Sequence, residues 1–208
     1  RAVSSLDVLI HGGSPIATEV VRRSCSAFPS TQLIEVYGAT ETSPLVALLG
    51  NEETLMDDPL ARSCGRAVMG CSVSIKDADG CELPCGEVGE VVVCGTNVMK
   101  GYWNKPEQTA SVLKHGGYYT GDMGYLDDDG YLFLVDRSKD MIVSGGENVY
   151  STEVEDVLYR NPAVLEAAVF GVPDDKWGEA VYAIVVPRPE YAQVDPTELI
   201  ASCREHIG

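Results

Sequence analysis

The stretch Leu6-Asp7-Val8-Leu9-Ile10-His11-Gly12-Gly13-Ser14-Pro15 decides how the chain begins to fold. Its apolar run, Leu6 to Ile10, reads as a buried strand that stops at a glycine turn. Pro15 suits the first turn of a helix, where its missing N–H is no loss, and Ile16, Val20, Val21 and Cys25 then recur at helical spacing. After Pro29 a second apolar run, Leu33 to Tyr37, breaks at Gly38. Strand, helix and strand within about 35 residues is the spacing of a βαβ unit, so a parallel sheet is expected.

Farther along, the texture changes. Between about Ser63 and Asp136, short alternating runs (Ser72 to Lys76, Glu87 to Val93, Tyr131 to Val135) are separated by Asp79-Gly80, Cys85-Gly86 and Asp129-Gly130. That is the pattern of a small antiparallel sheet or barrel, with one short helix expected at Pro106 to Leu113. Beyond Asp136, Met141 to Val143 and Asn148 to Tyr150 flank a Gly145-Gly146 turn. Thr152 and Glu155 have the spacing of a capping box for a helix with Val154, Val157 and Leu158 on one face, ended before Pro162. Val164 to Phe170 and Ala180 to Val186 read as strands, and Asp195-Pro196 as the cap of a last helix carrying Leu199, Ile200, Cys203 and Ile207. The expected fold is therefore mixed α/β: the end of a βαβ sheet subdomain (1–62), a small antiparallel β-barrel-like subdomain (63–136), and a compact α+β C-terminal domain (137–208).

Composition excludes several functions. A net charge of −17 over 208 residues is unsuited to nucleic acid, because phosphate backbones need clustered Lys and Arg. No apolar run is long enough to span a bilayer, and Arg1 to Leu6 offers neither an initiator Met nor an apolar signal region. The expectation is a cytoplasmic protein with no targeting segment and with sequence missing before Arg1. Seven cysteines, five of them loosely clustered between Cys64 and Cys94, invite a zinc reading. They form no C-x-x-C pair, so reduced, small, buried side chains are the preferred reading.

Three segments place polar residues where ligands bind in open α/β sheets. Gly12-Gly13-Ser14-Pro15 follows the first strand; alone it reads more readily as a plain loop than as a site. Tyr37-Gly38-Ala39-Thr40-Glu41-Thr42-Ser43-Pro44 follows the second. There a Tyr could stack on a base, a Thr hydroxyl could donate to phosphate, and a Glu could hold Mg²⁺. Tyr119-Thr120-Gly121-Asp122, read as a third turn after a strand, is followed fifteen residues later by Arg137. A carboxylate can accept from both hydroxyls of a ribose while Arg donates to phosphate or ribose oxygens, although such a pair also suits a surface ion pair.

The order and wording of these segments, continued by Asp136-Arg137-Ser138-Lys139-Asp140-Met141-Ile142 and Gly145-Gly146-Glu147-Asn148-Val149, resemble the later signature motifs of the adenylate-forming superfamily. Acyl- and aryl-CoA synthetases, firefly luciferase and nonribosomal peptide synthetase adenylation domains make up that superfamily. The resemblance runs over nearly the whole chain. It implies an acyl-CoA synthetase that uses ATP and Mg²⁺ to convert a carboxylic acid into an acyl-adenylate and passes the acyl group to CoA. It also implies roles. Gly13, Ser14 and Pro15, with Glu35, Val36 and Tyr37, would surround the adenine. Thr40 would contact the α-phosphate, Glu41 would hold Mg²⁺, and Asp122 would bind the ribose hydroxyls with Arg137 assisting. Gly38 and Ala39 would border the acyl pocket, Lys139 would be the hinge, and Gly145, Gly146 and Glu147 would line the pantetheine tunnel. The family's phosphate loop would lie upstream of Arg1 and its late lysine beyond Gly208, so the chain reads as a fragment not expected to catalyse adenylation alone. Two alternatives stand beside this one: an adenylation domain loading a carrier protein, and a non-catalytic binding fragment. Val143, where coumarate-type ligases commonly have Lys, tilts the expected acid toward aliphatic chains.

Overall fold

The computed structural model describes residues 5–14, 16, 18–50, 59–191 and 194–207, which fall into two compact units, Arg1–Leu134 and Val135–Gly208. Pro15, expected both to start a helix and to flank a ligand, lies outside the described residues.

In the first unit, β1 (Val8–Gly12), α1 (Thr18–Ala27) and β2 (Gln32–Tyr37) form the expected βαβ unit. The two strands run parallel, in register from Val8 opposite Gln32 to Gly12 opposite Val36. Val21 on the helix and Leu33 on the strand are both buried, each side chain worth about 1.5–3 kcal/mol. The sheet is nevertheless mixed rather than parallel throughout. The chain doubles back through Ser43, which takes a left-handed φ of 58°, and β3 (Ala47–Gly50) pairs antiparallel with β2, followed by β4 (Arg66–Ala67). Gly12 and Gly38 have no room for a side chain: a Cβ would sit 2.1 Å from the Val36 carbonyl oxygen and 1.6 Å from that of Pro44, respectively.

The β-rich remainder of this unit is a curled five-stranded sheet. It comprises β5 (Cys71–Lys76), β6 (Gly89–Gly95), β7 (Leu113–Lys114), β8 (Gly117–Leu126) and β9 (Leu132–Arg137), ordered β5-β6-β8-β7 with β9 on β8; α2 (Pro106–Val112) is the one expected helix. Val91, Val92 and Val93 of β6 are all buried, so the strand is covered on both faces. Two of the Asp-Gly turns are built alike. Asp77 Oδ1 accepts from the amides of Asp79 and Cys81, and Asp127 Oδ1 from those of Asp129 and Tyr131. Each is closed by its glycine: Gly80 N–H donates to Asp77 O, and Gly130 N–H to Asp127 O.

In the second unit, β10 (Ile142–Ser144) and β11 (Glu147–Val149) form a hairpin, and β12 (Val164–Asp174) and β13 (Gly178–Pro187) a longer one, in the order β11-β10-β13-β12. The helices α3 (Ser151–Arg160) and α4 (Pro196–His206) share a core with Ile142, Val164 and Val169 through Val154, Leu158 and Leu199. Asp195 caps α4 as expected, accepting from Thr197 N–H at 2.8 Å. Two expectations fail. Ile200 is 53% exposed, one position off the buried stripe that Leu199 and Cys203 follow. The capping box of α3 does not form: Thr152 Oγ1 donates to the Val135 carbonyl, and Glu155 accepts from Val169 N–H at 2.9 Å. The helix start is served instead by buried Asp136, whose Oδ2 accepts from Ser151 N–H at 2.6 Å. A carboxylate fifteen residues upstream takes the place that local spacing assigned to Thr152. Among the described residues no helix is long and apolar enough to cross a membrane.

Candidate active site

Parallel pairing sets the first part of the site. With His11 opposite Glu35 and Gly12 opposite Val36, β1 and β2 end side by side. Exposed Gly13 and Ser14 therefore leave the sheet where half-buried Glu35, Val36 and Tyr37 arrive, at the carboxyl ends of parallel strands. Cys64 lies behind them, its Sγ 3.9 Å from Glu35 Oε1. Burial and then the Glu35 carboxylate push its thiol pKa well up, so it is a neutral neighbour and not a nucleophile.

Tyr37 and Asp122, 85 positions apart, meet directly: the phenol donates to Asp122 Oδ2 at 2.7 Å. Burial, then the adjacent carboxylate, raises the Tyr37 pKa far above its ordinary value, which keeps the ring a donor. The Tyr-Thr-Gly-Asp segment is not a turn after a strand. It lies inside β8, at a bulge where the pairing with β6 shifts between Glu90 and Val92. Gly121 takes a φ of 77° there, and its amide donates to Glu90 Oε1 at 3.0 Å. Thr120 Oγ1 donates to Val91 O and accepts from Asp122 N–H, so the carboxylate is fixed through both backbone and side chain.

Glu41 is held as firmly. Residues Thr40–Thr42 form a single 3-10 turn in which the Thr42 hydroxyl accepts from Ala39 N–H and donates to Ala39 O, both at 2.9 Å. Asn97 Nδ2 donates to Thr42 O at 2.8 Å and to Leu45 O at 2.9 Å. Met99 N–H donates to Glu41 O, and Tyr102 Oη to Glu41 Oε1, both at 2.7 Å. That bond and burial raise the pKa of Tyr102. Thr40, beside Glu41, presents an exposed side chain. The sequence singled out Thr40, Glu41 and Asp122 but neither Asn97 nor Tyr102, which reach this turn from 55 and 61 positions away.

The remaining expected residues belong to the second unit. Arg137 is exposed at the end of β9, and its amide donates to Asp136 Oδ1. Lys139 is exposed in the turn closed by Asp140 and Met141 amides on Arg137 O, both at 3.0 Å. Gly145 and Gly146, at φ 63° and 89°, make the two-residue turn between β10 and β11, and exposed Glu147 begins β11. Gly145 N–H donates to Trp177 O at 2.8 Å, and a Cβ on Gly145 would come within 3.0 Å of the Trp177 ring. Trp177 is a contact that the sequence did not suggest.

The donor set suits a hard cation. Glu41 offers carboxylate oxygen beside the Thr40 hydroxyl, and Mg²⁺ needs no cage, being held by one or two carboxylates together with substrate phosphates. Among the described residues no group of three or more His, Cys, Asp or Glu could hold a metal. The cysteines are less buried than expected. Cys64 is buried, but Cys81 and Cys85 are exposed because their turns stand at the edge of the curled sheet.

Comparison with known proteins gives a consistent result. The profile of AMP-binding enzymes matches residues 1–103, and that of the AMP-binding enzyme C-terminal domain matches residues 153–208. A feruloyl-CoA synthase from Amycolatopsis sp. is 42% identical over 206 residues, 99% of this chain and 41% of that protein. Among solved structures, an amide bond synthetase from Marinactinospora thermotolerans superposes with a TM-score of 0.89 at 40% identity, covering 100% of this chain and 42% of the other. An o-succinylbenzoate CoA synthetase from Bacillus subtilis, in complex with its acyl-adenylate intermediate, superposes with a TM-score of 0.86 at 36% identity, covering 100% and 41%. The chain thus spans about 41% of the length of the first curated relatives it matches.

Proposed function

This chain belongs to the AMP-binding enzymes, and we propose that the protein containing it joins a carboxylic acid to coenzyme A through an acyl-adenylate, with ATP as co-substrate. One observation carries the reading: two carboxylates, Asp122 and Glu41, each fixed by a tyrosine hydroxyl at 2.7 Å. Asp122 receives the two ribose hydroxyls, and Glu41 carries Mg²⁺, which supplies positive charge to the phosphate oxygens. Gly13 and Ser14, with Glu35 to Tyr37, flank the adenine, while Gly38 and Ala39 border the acyl group. A substrate carboxylate oxygen attacks the α-phosphorus and diphosphate leaves. The CoA sulfur then attacks the acyl carbon and AMP departs. The fixed groups need no reorganisation as charge develops, and Thr40 donates to the α-phosphate through both steps. Residues 1–136 are the end of the nucleotide-binding domain and 137–208 part of a small domain that turns about Lys139 between the steps; Arg137 assists at the ribose, and Gly145 to Glu147 line the pantetheine tunnel in the thioester-forming arrangement.

The likeness to an amide bond synthetase favours a second reading, in which an amine takes the place of the CoA thiol as acceptor. Both readings are decided on the full-length protein. Acid-dependent release of diphosphate from ATP should be followed by CoA thioester formation over a panel of aliphatic and aromatic acids. Amide but no thioester would select the second reading, and no acid-dependent diphosphate would dismiss both.

A further inference from the structure

The geometry points to a second ligand site: an oxyanion cleft on the outer face of the five-stranded sheet, shaped for a dianionic phosphoryl group. The cleft is about 330 Å³ and is lined by Ser72, Ser74, Lys76, Lys114, His115 and Tyr119. Its location follows from strand alternation. Tyr118 packs into the core with Val91 and Val93, so Tyr119, opposite Val92, faces the other side of β8.

Two observations identify the ligand class. The first is Tyr119 itself, which is only 7% exposed and whose hydroxyl finds no hydrogen-bond partner among the described residues. A buried hydroxyl without a partner is costly, and a ligand oxygen in the cleft is the partner that removes the cost. The second is convergence of positive charge. Lys76 Nζ donates to Gly80 O at 3.2 Å, and Tyr119 Oη lies 3.4 Å from where a Gly80 Cβ would be, so ammonium and phenol meet over one turn. Lys114 Nζ stands 4.9 Å over the Tyr119 ring, and His115 adds a ring edge beside the same glycine. Two lysines against Glu82, the one acid lining the cleft, leave a local charge of +1 in a chain of net charge −17. Donors that approach from several sides (two ammoniums, a phenol and the Ser74 hydroxyl, the Ser72 hydroxyl being turned to Cys94 O) suit a tetrahedral oxyanion better than a planar carboxylate.

The test is titration of inorganic phosphate into the ¹⁵N-labelled chain at fixed ionic strength, with chloride as the control. Saturable shifts should be confined to the amides of Ser72, Ser74, Gly117 and Tyr119. Tyr119→Phe, which keeps the ring over Val92, should weaken binding about tenfold, and Lys114→Gln should weaken it by a comparable factor. Glycerol phosphate in a parallel titration separates the two sources of the group: tighter binding than phosphate indicates a phosphorylated metabolite, and weaker binding the free ion. The proposal is overturned if these amides do not move, if chloride moves them equally, or if both variants bind phosphate like the wild type.

Discussion

The side chains proposed for the site are held in opposite ways in the two units. In the first unit Asp122 and Glu41 are half-buried, each with a tyrosine donor at 2.7 Å and a backbone fixed by further bonds. In the second, Arg137, Lys139 and Glu147 are exposed, in or beside turns shaped by backbone bonds, the Asp136 carboxylate and glycine geometry. The difference teaches a division of labour. In the proposed mechanism, groups that meet charge at a set place are fixed in advance, while groups that serve two successive steps sit on exposed turns.

Glu41→Gln in the full-length protein is the most severe challenge to this contrast. It keeps the shape and removes the charge, so adenylation should fall by about a hundredfold or more, while thioester formation from supplied acyl-adenylate stays within a few-fold. Equal loss in both half-reactions would make Glu41 structural.

Asp122→Ala comes next. It removes two hydrogen bonds to a charged group, and kcat/KM for ATP should drop at least about tenfold with an unchanged circular dichroism spectrum. Wild-type ATP kinetics in a folded variant would place the ribose elsewhere.

Lys139→Pro probes the exposed side. Proline fixes φ near −65° and removes an N–H, so thioester formation should fall several-fold more than adenylation. If the two activities fall together without unfolding, or both survive, the pivot is not Lys139.

The smallest effect is on stability. The folded-state pKa of Tyr37 is raised, so the neutral phenol stabilises the fold fully below the ordinary value of 10.0 and that contribution is lost as pH rises above it. Between pH 10 and 11 the wild type should lose about 1 kcal/mol more than Tyr37→Phe in denaturant titrations. Parallel curves would mean that the ring ionises freely in the folded state.

How much of this was legible in the sequence depended on range. The βαβ unit, the Gly145-Gly146 hairpin and the Asp195 cap all follow from residues a few positions apart, and all are present. Tyr119 to Asp122 misled because a glycine normally marks a turn, whereas here Gly121 marks a bulge, and only the pairing of β8 with β6 reveals it. The same holds for α3, where Thr152 and Glu155 had the right spacing but a distant carboxylate, Asp136, reached the helix start. Tyr102 and Asn97 carried no local signal at all. Their role exists only because the sheet brings positions 41 and 42 against 97 and 102.

The paired Asp-Gly turns bear on how this protein ages. Among Asp-containing dipeptides, Asp-Gly is the most prone to spontaneous rearrangement into isoaspartate, which begins when the glycine amide nitrogen attacks the preceding side-chain carboxyl. At Asp79-Gly80 and Asp129-Gly130 that nitrogen is already occupied as a hydrogen-bond donor, to Asp77 O and Asp127 O at 3.1 and 3.0 Å. The same bonds that close the hairpins therefore slow the damage. Intact chains should outlast unfolded ones on storage, and isoaspartate at either position would be a chemical record of time spent with that hairpin open.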